Sequence, residues 1–359
     1  MPLSTITTNS IADDAITVPK VTDQILTNRN LIINGAMQVW QRATAATTAT
    51  NQCTTVDRHA TLENTSGNYT TEQSTDTPSG TGYSLKCVVT AADATLTTTE
   101  YSMIQHGIEA QNLQHLQYGT SSAKTLTATF WVKSNKTGTY GLSLYKQDPT
   151  SAMYNKEYTI NTANTWEKKE IIITPTAGST SIINTSTGTI ANDTGPGLYL
   201  VFGLAWGPSF TGGTSDSWST NTSHYATTNH VNWMDTVGND FYLTEVQLEV
   251  GDTATPFEHR SYGEELAKCQ RYYNRSLDLG SSQTGPWYNQ PEQLGSGYGR
   301  AFVPFNVVMR AVPTMTVSTN STAYTAKGTQ FLTNRNFTSY LNGMTNDNYI
   351  TQWTADAEL

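Results

Sequence analysis

One stretch constrains this chain more than any other: residues 241–273, FYLTEVQLEVGDTATPFEHRSYGEELAKCQRYY. Its first part alternates. Tyr242, Thr244, Val246, Leu248 and Val250 make one mostly apolar face, and Leu243, Glu245, Gln247 and Glu249 a mostly polar one. A period of two predicts a strand with one face on a core and the other in water. Thr255-Pro256 ends it, because proline offers no N–H to a ladder and keeps the residue before it extended. The run from Glu264 to Tyr272 then predicts a short helix, with acids at its start and bases near its end, and with Leu266, Cys269 and Tyr273 on one face. The stretch therefore joins a strand-built body to a second one.

The rest of the chain is written for strands. Charged residues are only 14%, mean hydropathy is −0.44, and polarity comes chiefly from Thr, Ser, Asn and Gln. With 19 Tyr and 8 Trp this composition favours sheets over helices. A net charge of −9 argues against a nucleic-acid partner, which demands clustered Lys and Arg. No run approaches the length of a membrane span, and residues 1–20 lack the basic start and apolar centre of a secretion signal. Cys53, Cys87 and Cys269 are odd in number and far apart, which predicts buried thiols rather than a disulfide framework or a zinc site.

Three segments follow. Residues 1–29 carry isolated Ile and Val among small polar residues, too little apolar surface to fold alone, so those side chains can be buried only against other copies or another protein, which predicts a segment ordered on assembly. Residues 30–260 repeat strand patterns between turn clusters, as in an antiparallel β-sandwich of jelly-roll type. Leu126, Ala128, Phe130 and Val132 alternate with polar or bulkier partners, and Leu198, Leu200, Phe202, Leu204 and Trp206 alternate with smaller ones. Ile171-Ile172-Ile173 predicts a more fully buried strand. Residues 207–232 are too long for a hairpin and carry Phe210, Trp218, His224, Tyr225 and His230. Residues 261–359 add the helix and short strands, a helix-plus-β body whose thin apolar content invites oligomerisation.

The segment VQLEVGDTATPFEHRSYGEELAKCQRYY at 246–273 resembles one shared by tail-fibre proteins of tailed bacteriophages and prophages. NLIINGAMQVWQR at 30–42 resembles the opening strand of that family's β-sandwich. VPFNVVMRAVPT at 303–314 and the end WTADAEL at 353–359 resemble its C-terminal module. The pair Asp57-Arg58 is followed by His59 where the family more often has an aromatic. The resemblance implies a virion fibre, made in the host cytoplasm and released by lysis. It implies a homotrimer, joined to other virion proteins through residues 1–29, with a carbohydrate-binding jelly roll directed at a host-surface polysaccharide or lipopolysaccharide.

The residues themselves hold no nucleophile elbow, Gly-rich phosphate loop or paired-histidine metal motif, so neither a cofactor nor a metal is expected. His224 and His230 lack a third ligand and read as solvated loop histidines, and Asp57-Arg58 as a structural ion pair or a turn. The aromatics carry more. A sugar ring has apolar C–H faces and a hydroxyl rim, which flat aromatics and neighbouring amides or hydroxyls match. Trp218, Tyr225, Trp287 and Tyr288 sit in polar loops and are the candidate glycan contacts, while Trp206 and Trp233 read as packing. Glycan attachment without catalysis is the leading function. A structural adaptor or head-decoration fibre, and a polysaccharide depolymerase or esterase, are the alternatives.

Overall fold

The computed structural model describes residues 28–279, 281, 292–293, 298–319, 326–342 and 350–359. The attachment segment up to residue 27, and Trp287 and Tyr288, lie outside the described residues. The fold is mainly β. Its larger part contains β1 (Thr47–Thr48), β2 (Ala60–Asn64), β3 (Asn68–Ser74), β4 (Ser84–Ala91), β5 (Tyr101–Glu109) and β6 (Leu126–Ser134). It continues with β7 (Gly138–Lys146), β8 (Ala152–Ile160), β9 (Glu167–Ile173), β10 (Pro196–Trp206), β11 (Ser217–Ser219) and β12 (Asp240–Val250). They form two six-stranded antiparallel sheets, ordered β1-β3-β4-β12-β6-β9 and β11-β8-β7-β10-β5-β2. The chain crosses repeatedly between the two, as in a jelly roll.

Inward side chains from both sheets fill one core, and Phe130 of β6 meets Phe202 of β10 edge-on at 5.0 Å between ring centres. Ile171 and Ile173 face this core, but Ile172 is 41% exposed. The triple-isoleucine strand is therefore one-sided, not fully buried, because Ile172 points to the outer face of the sheet, away from the core that Ile171 and Ile173 enter.

The alternation expected for residues 241–250 does not run through. Phe241 and Leu243 point inward in the first half, and Val246 and Leu248 in the second. Between them the register with β6 shifts, and Glu245 adopts φ 48°. One inserted residue exchanges the faces of a strand, which is why Tyr242 and Thr244 turn to the face opposite the core, where both are nonetheless covered. Residues 30–42, expected to open the sandwich as a strand, instead clamp this bulge. Val246 N–H donates to the Gly35 carbonyl at 2.9 Å, Asn30 Nδ2 to the Val246 carbonyl at 3.1 Å, and Leu31 N–H to the Leu248 carbonyl at 2.8 Å. A Cβ on Gly35 would stand 2.1 Å from the Val246 oxygen, so only glycine permits the approach.

The polar side of the strand is not in water either. Gln247 and Glu249 are buried under the turn that follows: Thr255 N–H and Oγ1 donate to Glu249, and Glu258 N–H donates to Gln247 Oε1 at 2.8 Å. Long acceptors at alternate positions thus tie the Pro-containing turn to the sheet.

The second body begins with α1 (Tyr262–Gln270), capped by Ser261, whose side chain accepts from the Glu264 N–H. Its strands are β13 (Tyr273–Arg275), β14 (Glu292–Gln293), β15 (Tyr298–Pro304), β16 (Thr314–Thr319), β17 (Ala326–Gln330), β18 (Asn336–Asn342) and β19 (Ile350–Asp356). They form sheets ordered β13-β19-β16 and β14-β15-β18-β17 around a small core of Val303, Phe305, Met309, Phe337 and Trp353. The buried side of α1 and the turn after it is Glu265, Cys269 and Tyr272, whereas Leu266 and Tyr273 are only half-buried.

The Arg271-Tyr272-Tyr273 run is the seam between the bodies. Arg271 grips the buried Glu109 carboxylate through two nitrogens, each at 2.7 Å, and the Tyr272 hydroxyl donates to it at 2.6 Å. The Arg58 guanidinium lies 3.4 Å over the Tyr272 ring and that of Arg42 lies 3.8 Å over Tyr273. Asp57 and Arg58 do not pair with each other. Asp57 takes Arg42 at 2.8 Å, and Arg58 pairs with Glu358 from the opposite end of the chain.

Candidate functional site

Strand parity gives the second sheet a distinctive outer face. Leu198, Leu200 and Phe202 of β10 face the core, so Tyr199 and Val201 face out. A bulge between Gly203 and Ala205 then reverses the parity and turns Trp206 outward as well. The expectation that Trp206 shares the inner face with Phe202 is corrected by that one irregularity. Across the ladder, Trp206 sits opposite Tyr101, and Tyr199 opposite Tyr145.

These side chains and two from the loop 207–232 form a continuous aromatic strip. Tyr225 stacks on Trp206 at 4.7 Å and 21°, and Phe210 meets both rings. Tyr225 continues to Tyr145 at 6.4 Å, and Tyr145 stacks on Tyr199 at 6.2 Å and 16°. Trp206 is buried as the floor, whereas Tyr101, Tyr145, Tyr199, Phe210 and Tyr225 are half-buried and present ring surface. Burial and the neighbouring Tyr145 push the Tyr225 hydroxyl up to about 12, so it stays protonated and can donate.

The loop is held down along its length. Ser143 Oγ donates to the Tyr225 carbonyl at 2.5 Å, Asn155 Nδ2 to the His224 carbonyl at 3.2 Å, and Ala226 N–H to the Phe210 carbonyl at 3.0 Å. Gly203 is required beneath it, since a Cβ there would lie 2.1 Å from Trp206 Nε1. His230 is not solvated: it packs edge-on against Tyr140 at 5.8 Å, and burial lowers its pKa to about 4. His224 is bridged to Ser219 and Asn221 within the loop.

Beside the strip, where Gly107 pairs with Tyr199, lies a cleft of about 580 Å³ between the two bodies. Leu62, Gln105 and Gly107 of the sandwich face form one wall, and Val312, Thr314 and Thr316 of the second body form another. The volume lies within the range of small-molecule sites.

Of the four sequence candidates, Tyr225 is part of the strip. Trp218 is not available to any ligand. It is 2% exposed, packs on Tyr154 at 5.4 Å and Tyr118 at 6.3 Å, and donates from Nε1 to the Thr174 carbonyl at 2.9 Å. The reason lies in β11, whose register sets Trp218 opposite Tyr154, inside, and leaves Ser217 and Ser219 outside. Ser-Trp-Ser is itself a period-two signal that could have been read. Trp233 is a core residue, in line with the packing expectation. Tyr101, Tyr145 and Tyr199 escaped notice because each lies alone in a strand. Only cross-strand register gathers them.

No family model matches the chain. No curated protein matches it either. Among solved structures, a family 11 carbohydrate-binding module of a Clostridium thermocellum cellulosomal cellulase superposes with a TM-score of 0.30 and 14% identity, over 61% of this chain and 99% of that one. A family 61 module solved with β-1,4-galactotriose gives 0.30 and 10%, over 62% and 100%. The enzymatically active domain of tailspike protein 4 from bacteriophage CBA120 gives 0.31 and 11%, over 62% of this chain and 21% of that one. Likenesses with TM-scores near 0.3 do not bear on what this chain binds.

Proposed function

We propose that this chain is a non-enzymatic fibre subunit of a tailed-phage particle that holds a host-surface glycan on the outer face of its second sheet. In this reading residues 1–29 attach it to other virion proteins, residues 30–260 form the receptor-binding sandwich, residues 261–359 form the tip, and the chain assembles as a homotrimer. The observation that carries glycan binding is the aromatic strip, with Tyr225 stacked on Trp206 and continued by Tyr145 and Tyr199. Half-buried rings pre-placed on a sheet offer flat faces to sugar C–H groups at little cost in side-chain entropy. The fibre assignment is supported by the sequence resemblance at both ends of the chain.

The test is adsorption to host cells, with binding to purified host polysaccharide alongside. Tyr199→Ala and Tyr225→Ala should each weaken binding by about 0.5–1.5 kcal/mol per site, or roughly two- to twelve-fold. The loss multiplies when several arms bind together. Normal adsorption by both variants would leave the spacer or adaptor reading in its place, and shortened polysaccharide after incubation would leave the enzyme reading. Sedimentation of the purified chain should give three copies, and a stable monomer would remove the trimer.

A further inference from the structure

We infer that the glycan site is built by both bodies, and that it takes an uncharged oligosaccharide long enough to run from the aromatic strip into the cleft beside it. The inference rests on the glycan-binding reading and narrows its ligand. Continuity comes from Gly107. A Cβ there would stand 3.0 Å from the Tyr199 ring and 3.1 Å from the Leu359 side chain, so the last ring of the strip and the cleft wall meet over a glycine. Gly107 and Leu359 both line the cleft.

The walls carry hydroxyls, amides and small apolar groups. Thr314 and Thr316 of β16 are exposed and line the cleft together with Leu62 and Gln105 of the sandwich. Such a surface matches the hydroxyl rim and C–H faces of a sugar.

The charges in the cleft are already committed. Arg310 donates from Nε to the Ala357 carbonyl at 2.8 Å, and from its two terminal nitrogens to the carbonyls of Thr194 and Glu358, each at 2.9 Å. Arg58 donates to Glu358 and to the Gly107 carbonyl while lying over Tyr272. Glu358 is further held by Arg42 at 3.2 Å, and Asp356 pairs with Arg42 at 3.4 Å. Every guanidinium nitrogen of Arg310 and both terminal nitrogens of Arg58 already donate, and the two arginines that line the cleft stand against two carboxylates, Asp356 and Glu358, so its lining carries no net side-chain charge. A charged sugar would lose hydration against a lining of no net charge whose guanidinium donors are already engaged.

The experiment uses the full chain and two probe sets, neutral hexose oligosaccharides of two and six units and uronic-acid oligosaccharides of the same lengths, screened across linkages. The variants are Thr314→Trp and Thr316→Trp, which fill the cleft from exposed positions, and Tyr199→Ala on the strip. Neutral hexamers should bind, and each cleft-filling variant should weaken them at least tenfold while leaving dimers within twofold. Tyr199→Ala should weaken both lengths. If the Trp variants bind hexamers like the parent while Tyr199→Ala does not, the shared site is overturned and the aromatic-strip reading stands. Uronic-acid oligomers binding as tightly as neutral ones overturns the uncharged ligand. A parent chain that binds no probe of any linkage overturns this inference and the glycan reading together.

Discussion

Replacing Arg271 by Met should separate the sandwich from the second body more effectively than any change within either core. The Glu109 side chain is fully buried, and Arg271, 29% exposed, supplies its counter-charge through two 2.7 Å bonds. Without Arg271 the carboxylate keeps only the Tyr272 hydroxyl and Gln111 Nε2, both at 2.6 Å. Breaking a buried pair from one side costs about 3–5 kcal/mol. The two surviving bonds and the partial exposure of Arg271 place Arg271→Met near the lower end, about 3 kcal/mol. Glu109→Gln keeps the shape without the charge, so the double variant Glu109→Gln/Arg271→Met should cost less than Arg271→Met alone, leaving a coupling of about 2 kcal/mol. The sign also shows in pH. Burial raises the Glu109 pKa, but the Arg271 and Tyr272 hydrogen bonds outweigh it and hold the group below the usual carboxylate range. In the parent, that contribution is present above the unfolded pKa and lost as pH falls through the folded one. In Arg271→Met the carboxyl should rise instead, so the gap between parent and variant should be widest near neutrality and narrow toward pH 4. Urea unfolding of the parent, both single variants and the double variant, at several pH values, measures all of this. Strictly additive costs, or a gap that ignores pH, would refute the account of the seam.

Other outcomes follow from the same geometry. Trp218→Ala should lower stability by about 3–5 kcal/mol, visible in urea unfolding, and unchanged stability would mean that Trp218 is not in the core. Gly203→Ala places a methyl 2.1 Å from Trp206 Nε1. It should cost about 1–3 kcal/mol through overpacking and weaken glycan binding by displacing the ring under Tyr225; a variant with parental stability would be inconsistent with that contact. Burial lowers His59 to about 4 from 6.5 and lowers the adjacent His106 well below its ordinary value. A depressed histidine contributes stability that is present above the unfolded pKa and lost as pH falls, about 3 kcal/mol for His59. Burial raises Asp57 to about 6 despite Arg42, an opposite contribution that offsets about one histidine. Urea midpoints should therefore fall between pH 6.5 and 4, and a flat or rising trend would contradict the buried histidine pair.

The sequence by itself determined the class of structure. Thr, Tyr and Trp enrichment, period-two patterning and turn clusters specify sheets, because strand propensity and side-chain alternation are local properties. Phe130 and Phe202 were legible as core for that reason, as was the helix read at 264–272, whose early acids and late bases lie within a few residues of one another, although it begins two residues earlier, at Tyr262. Two bulges decided what alternation could not: the extra residue at Glu245 exchanged the faces of β12, and the one near Gly203 sent Trp206 to the outer face. A bulge is set by what packs across it, here Gly35 against Val246 and the indole of Trp206 over Gly203, partners distant in sequence. The candidate site was legible only at Tyr225, because a loop aromatic announces itself in sequence. Tyr101, Tyr145 and Tyr199 become neighbours only when β5, β7 and β10 align, and the cleft forms where Arg271 and Tyr272 on Glu109, Arg58 on Glu358 and Arg310 on the Thr194 carbonyl dock the second body. Register and docking are long-range choices among locally equivalent arrangements, so they belong to the tertiary structure.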